Sequence, residues 1–307
     1  MARKGRKRKN DNTKLLYLAI IIVVIIAAGY TQKDTIMSSV SNADVKDNNQ
    51  HNSDLLKVGS FNIQVFGQSK SAKADVMNVL SDIIRTYDII AVQEIRDSSG
   101  TALDNLIKQV NSDGSSYAYL VSERLGRTSS KEQYAYVYNT RTVSPVGTAF
   151  TYPQTSDIFH RTPYIASFKS NEGIFNATFA VIHTDPDDAA NEIKALYEVA
   201  EYAKGVLPAD EPVIVMGDYN ADGRYFDETS YVPLKSENYI WIIGNEVDTT
   251  VASGDNTYDR IVSTKPNIFY TGDAGAFRFD EVYNLTHEFA AEVSDHYPVY
   301  VFFKKDA

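Results

Sequence analysis

The sequence predicts an α/β domain in which two packed β-sheets carry helices on their outer faces. Three observations lead there. Apolar runs of strand length recur from Leu55 to the C-terminus. Two long stretches among them show one-sided helical spacing. No linker-like segment interrupts residues 55–307, so strands and helices are read as one domain.

The elements follow in order. VGSFNI reads as a first strand. In SAKADVMNVLSDIIRTY the residues Val76, Val79, Leu80, Ile83, Ile84 and Tyr87 fall at helical spacing and make one apolar face. DIIAVQE then reads as a buried strand, and SYAYLVSE, QYAYVYN, YIASFKS and IFNATFAVIH as hairpin-like strands. AANEIKALYEVAEYAK places Ile193, Leu196, Tyr197, Ala200 and Ala203 on one helical face, and PVIVMGDYN returns to strand. The chain closes on SDHYPVYVFF, where Val299, Val301 and Phe303 alternate with Tyr300 and Phe302 after Pro298.

Ahead of this domain the composition changes twice. Residues 1–14 hold seven Lys/Arg and one Asp, a charge of +6, which leaves −16 for the rest of a chain whose net charge is −10. The uncharged apolar segment Leu15–Tyr30 follows directly, the arrangement of an export signal or a signal anchor. Residues 31–54 are polar and nonperiodic, a tether. The protein is therefore expected to be exported, either secreted or held on the membrane by this segment. The acidic body argues against broad electrostatic binding to nucleic acid or anionic membrane, although a metal and a few local cations suffice for one phosphate. With no cysteine in the chain, disulfides, thiolate nucleophiles and Cys-ligated zinc are excluded.

Polar groups gather where the apolar runs stop. SFN stops at Asn62, IIAVQE at Glu94, FAVIHTD at His183 and Asp185, and VIVMGDYN at Asp218 and Asn220. TYDRIV opens with Asp259, and SDHYPVY with Asp295 and His296. So many polar endings suggest a shared rim where strand ends meet. Glu94, Asp218 and Asp295, with Asn62 and Asn220, offer hard oxygens and amide donors, which suit Mg²⁺, Mn²⁺ or Ca²⁺ rather than zinc. His183 and His296 are candidates for proton transfer, each needing a carboxylate to fix its tautomer. Two imidazoles and a hard metal are equipment for phosphodiester hydrolysis. A binding module with scattered structural histidines accounts for the same residues. His51, His160 and His287 carry no assigned role; Asp185, Asp187 and Asp188 read as acids facing a helix N-terminus, and Asp222 as turn chemistry.

The runs FNIQVFGQSK, YDIIAVQEIRDS, VSERLGRTSSKEQYAYVY, AVIHTDPDDAANEIKALYEV, MGDYNAD, DTTVASGDNTYDRIV and SDHYPVYVFF resemble, in order, the motifs of the deoxyribonuclease I branch of the endonuclease/exonuclease/phosphatase superfamily. The resemblance covers essentially 55–303. GDYN recurs through the superfamily, whereas FGQSK, LGRTSSKEQY and NTYDRIV point to that branch. It implies a four-layered α/β sandwich with the site at its rim, and a monomer that nicks double-stranded DNA and leaves 5′-phosphate ends. His296, oriented by Asp259, resembles the base that activates water; His183, oriented by Glu132, resembles the acid that protonates the leaving 3′ oxygen. Glu94 resembles a metal ligand with Asp218 and Asp295 close by, and Asn62 and Asn220 match amides that hold the scissile phosphate or the metal shell. Arg96 and Arg161 match positions that face DNA.

The chain also departs from the branch. It lacks the family's disulfides, and the loop around YPQTSDIFHR is short for the family's calcium there. In a second calcium loop Asp248 and Thr250 remain, but Ala252 and Gly254 replace oxygen-bearing side chains, which leaves a weaker Ca²⁺ site as the expectation. Among substrate-facing positions, Gln64 stands where the family has Arg and Ser130 where it has Tyr. Two further readings use the same residues: a phosphodiesterase or phosphatase acting on phospholipid or inositol phosphate, and a catalytically silent surface-binding module.

Overall fold

The computed structural model describes residues 54–206 and 211–307. The basic flank and apolar segment expected at 1–30, and all of the expected tether except Asp54, lie outside the described residues. The first half of the domain runs β1 (Leu55–Phe66), α1 (Gln68–Ser71), α2 (Ala74–Arg85), β2 (Ile89–Ile95), α3 (Thr101–Val110), β3 (Tyr117–Val121) and β4 (Gln133–Asn139). Then come β5 (Val143–Thr151), β6 (Tyr164–Ser170), β7 (Asn176–His183), α4 (Ala189–Val206) and β8 (Val213–Asp218). The chain ends with β9 (Tyr239–Trp241), β10 (Asp259–Thr264), β11 (Tyr270–Ala276), α5 (Phe279–Val282), α6 (His287–Val293) and β12 (Val299–Lys304).

Two six-stranded mixed sheets result, ordered β11-β12-β1-β2-β4-β3 and β5-β6-β7-β8-β10-β9. The parallel pairs are central: β1 beside β2, joined through α2, and β7 beside β8, joined through α4. A parallel pair needs such a crossover, which is why the two long amphipathic stretches lie between these strands and not elsewhere.

Side-chain alternation divides each strand between two cores. Leu56 and Val58 of β1, Ile89 and Ala91 of β2, Tyr134 and Tyr136 of β4, Phe179 of β7, Met216 of β8 and Val299 of β12 fill the space between the sheets. The intervening residues face outward. Phe61, Ile63, Ile90 and Val92 pack under Val76, Leu80, Ile83, Leu103 and Leu106 of α2 and α3. Ala180, Ile182, Val213 and Val215 pack under Ile193, Leu196 and Val199 of α4. Helix, sheet, sheet, helix is the four-layered sandwich expected. Each fully buried Ile, Leu or Phe contributes about 1.5–3 kcal/mol relative to exposure, so a core of this extent fixes strand register firmly.

The structure adds elements that the sequence reading lacks. Helix α3 buries Ala102, Leu103, Leu106, Ile107 and Val110, and Asp97 starts it by accepting the Ala102 N–H at 2.8 Å. The edge strands β5, β9 and β11 and the short helices α5 and α6 are also additional. Among the described residues no helix is long and apolar enough to cross a membrane.

Candidate active site

Strand alternation places the candidate residues on one face. Following Leu56 and Val58 by twos along β1 leads through Ser60 to Asn62. Phe179 and Val181 of β7 lead to His183, Ile214 and Met216 of β8 to Asp218, and Ile261 of β10 back to Asp259. Tyr136 and Tyr134 of β4 lead back to Glu132. Each of these candidates therefore takes an inward position just past the inter-sheet core, Asn62 one step further out than the rest. Register completes the assembly, because Asp218 is paired with His183 on the parallel side and with Asp259 on the antiparallel side. Gly217 allows this close approach. It sits at φ 145°, and a Cβ there would fall 1.8 Å from the Ile182 carbonyl oxygen.

Two imidazole–carboxylate dyads converge on Asp218. His183 Nδ1 donates to Glu132 Oε2 at 2.9 Å, and His296 Nδ1 donates to Asp259 Oδ2 at 2.7 Å. An ionised carboxylate only accepts, so each Nδ1 carries the proton and each Nε2 is left to react. Both Nε2 atoms lie 3.5 Å from Asp218 Oδ2. All five side chains are buried.

The electrostatics follow from these contacts. Burial works against the charge on Glu132, but His183, Arg161 and Arg96 outweigh it and hold the carboxyl at about 2. Asp218 is likewise lowered despite burial, by His296, His183, the Asn220 N–H and the Asn62 amide. Burial opposes charge on His296, yet Asp259, Asp218 and Asp295 raise it well above 6.5. His183 is also raised: burial and Arg161 oppose its charge, while Asp218 and Glu132 overcome them. Burial pushes Asp259 up to about 6 against the pull of His296. The carboxylates around them thus hold both imidazoles above their ordinary range.

Glu94 and Asp218 share one amide. Asn62 Nδ2 donates to Glu94 Oε1 and to Asp218 Oδ2, both at 3.1 Å. Glu94, next to last in β2, lies in the left-handed region, φ 61°, which turns its carboxylate out of strand alternation toward this corner. Asp295 stands at the rim with its side chain 53% exposed, Oδ1 4.0 Å from His296 Nε2. Among the described residues, the acidic and imidazole ligand atoms that lie within 4.8 Å of one another are those of Asp218, Asp259 and His296. That group differs from the expected Glu94, Asp218 and Asp295, because Asp259 and His296 face each other through their own hydrogen bond. Glu94 and Asp218, joined through the Asn62 amide, and Asp295 at the rim still offer an all-oxygen set of carboxylates. A hard divalent cation fits this corner.

Other expected residues take less direct places. Asn220, φ 49°, gives its N–H to Asp218 Oδ1 at 2.9 Å and its side-chain amide to the Thr184 carbonyl at 3.2 Å. Arg96 lies between the carboxylates, 3.0 Å from Glu94 and 2.9 Å from Glu132, and also reaches Ser130 Oγ at 3.2 Å. Arg161, expected to face DNA, is instead buried beneath the acid dyad. Its Nε and Nη2 donate to the carbonyls of His183 and Thr184 at 2.9 and 2.8 Å, and its Nη1 is 3.5 Å from Glu132. These carbonyls lie at the end of β7 and just past it, and Arg161 helps satisfy them. Gln64 is half-buried, and its N–H bonds Asn62 Oδ1 at 2.9 Å; Ser130 is exposed. Asp248 and Thr250 lie on the loop before β10, where Asp248 Oδ2 meets Arg278 Nη1 at 3.3 Å.

Four residues with positioning contacts were not singled out from sequence. Lys70 Nζ donates to the carbonyls of Ile63 and Gln64 at 2.9 and 2.8 Å, holding a left-handed turn at Gln64 and Val65. The Val65 N–H then supports Glu94 Oε2 at 2.8 Å, and burial lowers Lys70 to about 8. Tyr134 Oη accepts the His183 N–H at 2.9 Å. Ser294 Oγ donates to the Asn62 carbonyl at 2.6 Å and accepts the His296 N–H at 3.1 Å. Thr249 Oγ1 accepts the N–H groups of Tyr258 and Asp259 at 3.0 and 3.2 Å. All four lie in or beside the quoted runs FGQSK, KEQY, DTT and SDH, so the signal was present in the motifs, but a donor to a distant carbonyl has no local pattern.

With residues 59–296 matching its description, the chain belongs to the endonuclease/exonuclease/phosphatase family. Its curated relatives place it in the deoxyribonuclease I branch. It is 35% identical over 259 residues to deoxyribonuclease-1 of Bos taurus, covering 80% of this chain and 91% of that protein. It is 36% identical over 264 residues to deoxyribonuclease-1 of Homo sapiens, with 81% and 92% covered. Deoxyribonuclease gamma of Homo sapiens is 34% identical over 264 residues, with 81% and 86% covered. The fold is similar to a solved endonuclease/exonuclease/phosphatase family protein from Bacteroides thetaiotaomicron, with TM-score 0.56, 18% identity, and 82% and 98% of the two chains covered.

Proposed function

We propose that this protein is a divalent-metal-dependent endonuclease that hydrolyses DNA phosphodiesters to 5′-phosphate ends. The observation that carries the reading is the convergence of two carboxylate-oriented imidazoles, both Nε2 atoms 3.5 Å from one oxygen of Asp218. Relatives named as deoxyribonucleases support the choice of DNA over other phosphoesters.

In this reading His296 Nε2 takes a proton from the attacking water while Asp259 holds the ring and its imidazolium charge. The new P–O bond forms as the bond to the 3′ oxygen breaks. His183 Nε2 gives its proton to that leaving oxygen, and Asp218 and Glu132, which raise its pKa, favour the protonated form this step needs. Asn62, through its amide to Glu94 and Asp218, and Asn220, through its N–H to Asp218, hold these carboxylates in place beside the phosphate. A hard cation, Mg²⁺ or Mn²⁺, held by Glu94 and Asp218 with Asp295 and Asn62 at hand, would neutralise charge on the phosphate. The residues at 1–54 are read as export and tethering segments, and the active unit as a monomer.

The test is nicking of supercoiled plasmid by the purified protein with Mg²⁺, with and without EDTA, beside a phospholipid and an inositol phosphate. Metal-dependent nicks that a ligase reseals without kinase treatment are expected. Activity on the lipid or inositol phosphate alone, or on none of them, overturns the proposal.

A further inference from the structure

The base half of the site hangs on the loop 248–256. Thr249 accepts the Tyr297 N–H through its carbonyl at 2.8 Å and the Asp259 N–H through Oγ1 at 3.2 Å. Thr250 forms a β-bridge with His296, and the Val251 N–H donates to the Asp295 carbonyl at 2.8 Å. Displacing this loop would move the base, its orienting carboxylate and the rim acid together.

Within the loop Asp248 is the organising side chain. Its Oδ1 accepts the Thr250 N–H at 3.0 Å and Thr250 Oγ1 at 3.1 Å, and its Oδ2 faces Arg278 Nη1 at 3.3 Å. Arg278 comes from the start of α5, and its guanidinium lies 4.3 Å over the ring of Tyr297. Tyr297 in turn donates its Oη to Asp280 at 2.7 Å. A single cation thus links the loop to the residue that follows the base.

The same geometry disagrees with calcium here. Calcium takes six to eight oxygens. Asp248 and Thr250 have few to give, because Ala252 and Gly254 carry no side-chain oxygen. A second cation at Asp248 would also sit beside the guanidinium. The weak calcium loop expected from the sequence does not fit.

We propose that Arg278 is a positioning residue that acts as the built-in cation of the 248–256 loop and sets the base half of the site without calcium. Its kinetic arm rests on His296 being the base; its calcium arm does not, so the two can fail separately. In saturating Mg²⁺, thermal unfolding of the full-length protein is compared in Ca²⁺ and in EGTA, for the wild type, Arg278→Met, Arg278→Lys and Asp248→Asn. The wild type is expected to show no Ca²⁺-dependent rise in Tm that Asp248→Asn removes. Arg278→Met should lower kcat at least about tenfold with KM little changed, since small misplacement of a reacting group is costly. It should also move the acid limb of the pH profile, while Arg278→Lys keeps most of the activity. A wild-type Ca²⁺ shift abolished by Asp248→Asn would overturn the proposal even if Arg278→Met does not fold. So would an Arg278→Met enzyme with unchanged kcat and pH profile.

Discussion

Asp218 meets the Nε2 atoms of both imidazoles on one oxygen, and the behaviour proposed for single residues follows from that. Because the acid and the base are separate groups acting on one step, His183→Ala and His296→Ala should each slow nicking by at least about 10²-fold. The double variant should fall well short of the product of the two losses. Near-normal rates in either folded single variant would remove that residue from the chemistry. The pH dependence has a definite sign. His296 works as a base only when neutral, and Asp259 and Asp218 raise its pKa, so activity is lost as pH falls through that raised value. Added positive charge at Asp218 weakens the pull and lowers the pKa. The acid limb of kcat/KM should therefore move to lower pH as Mg²⁺ is raised, and a limb fixed across a Mg²⁺ titration would contradict the assignment.

Elements carry these residues through alternation and register, and here legibility in the sequence divides. The two parallel strand–helix–strand units were readable because VGSFNI, DIIAVQE, IFNATFAVIH and PVIVMGDYN are apolar and the helices between them are one-sided. Strand-end residues Asn62, His183, Asp218 and Asp259 could be picked out for the same reason. Strand β11, YTGDAGA, was not readable: it has little apolar alternation and exists because β12 offers an edge. The pairing of β10 with β8, which puts Asp259 beside Asp218, is a long-range choice no local pattern encodes. Nor does sequence reveal that Glu94 leaves strand geometry, or that Arg161 turns inward to serve the carbonyls at the end of β7. Gly217 is the test at this scale. Gly217→Ala forces a strained φ and a clash with the Ile182 carbonyl, so it should cost at least about 2 kcal/mol in denaturant unfolding. Activity should fall further than stability as the His183–Asp218 register opens; an unchanged midpoint would mean the parallel pair is not packed as described.

At the scale of the catalytic domain, each imidazole–carboxylate pair bridges the two sheets. Glu132 precedes β4 of one sheet and orients His183 of the other; His296 precedes β12 of the first and is oriented by Asp259 of the second. Asn62 and Asp218 span the same gap, so the site exists only while the sheets are packed. The molecule as a whole is acidic, and its Arg96 is already engaged by Glu94, Glu132 and Ser130. Grip on duplex DNA should accordingly be weak and fade between low and physiological salt. Gln64→Arg with Ser130→Tyr adds a cation and a ring at the rim. It should lower KM several-fold, most at low salt, with kcat little changed; an unmoved KM would place these side chains away from DNA.

The division of labour between the two halves is most directly tested with a DNA duplex whose scissile 3′ bridging oxygen is replaced by sulfur. A thiolate leaves without needing a proton, so the general acid becomes dispensable while the base does not. The account predicts that His183→Ala regains most of its lost rate on this substrate and that His296→Ala regains none. Equal recovery by both variants, or recovery by His296→Ala alone, would contradict it.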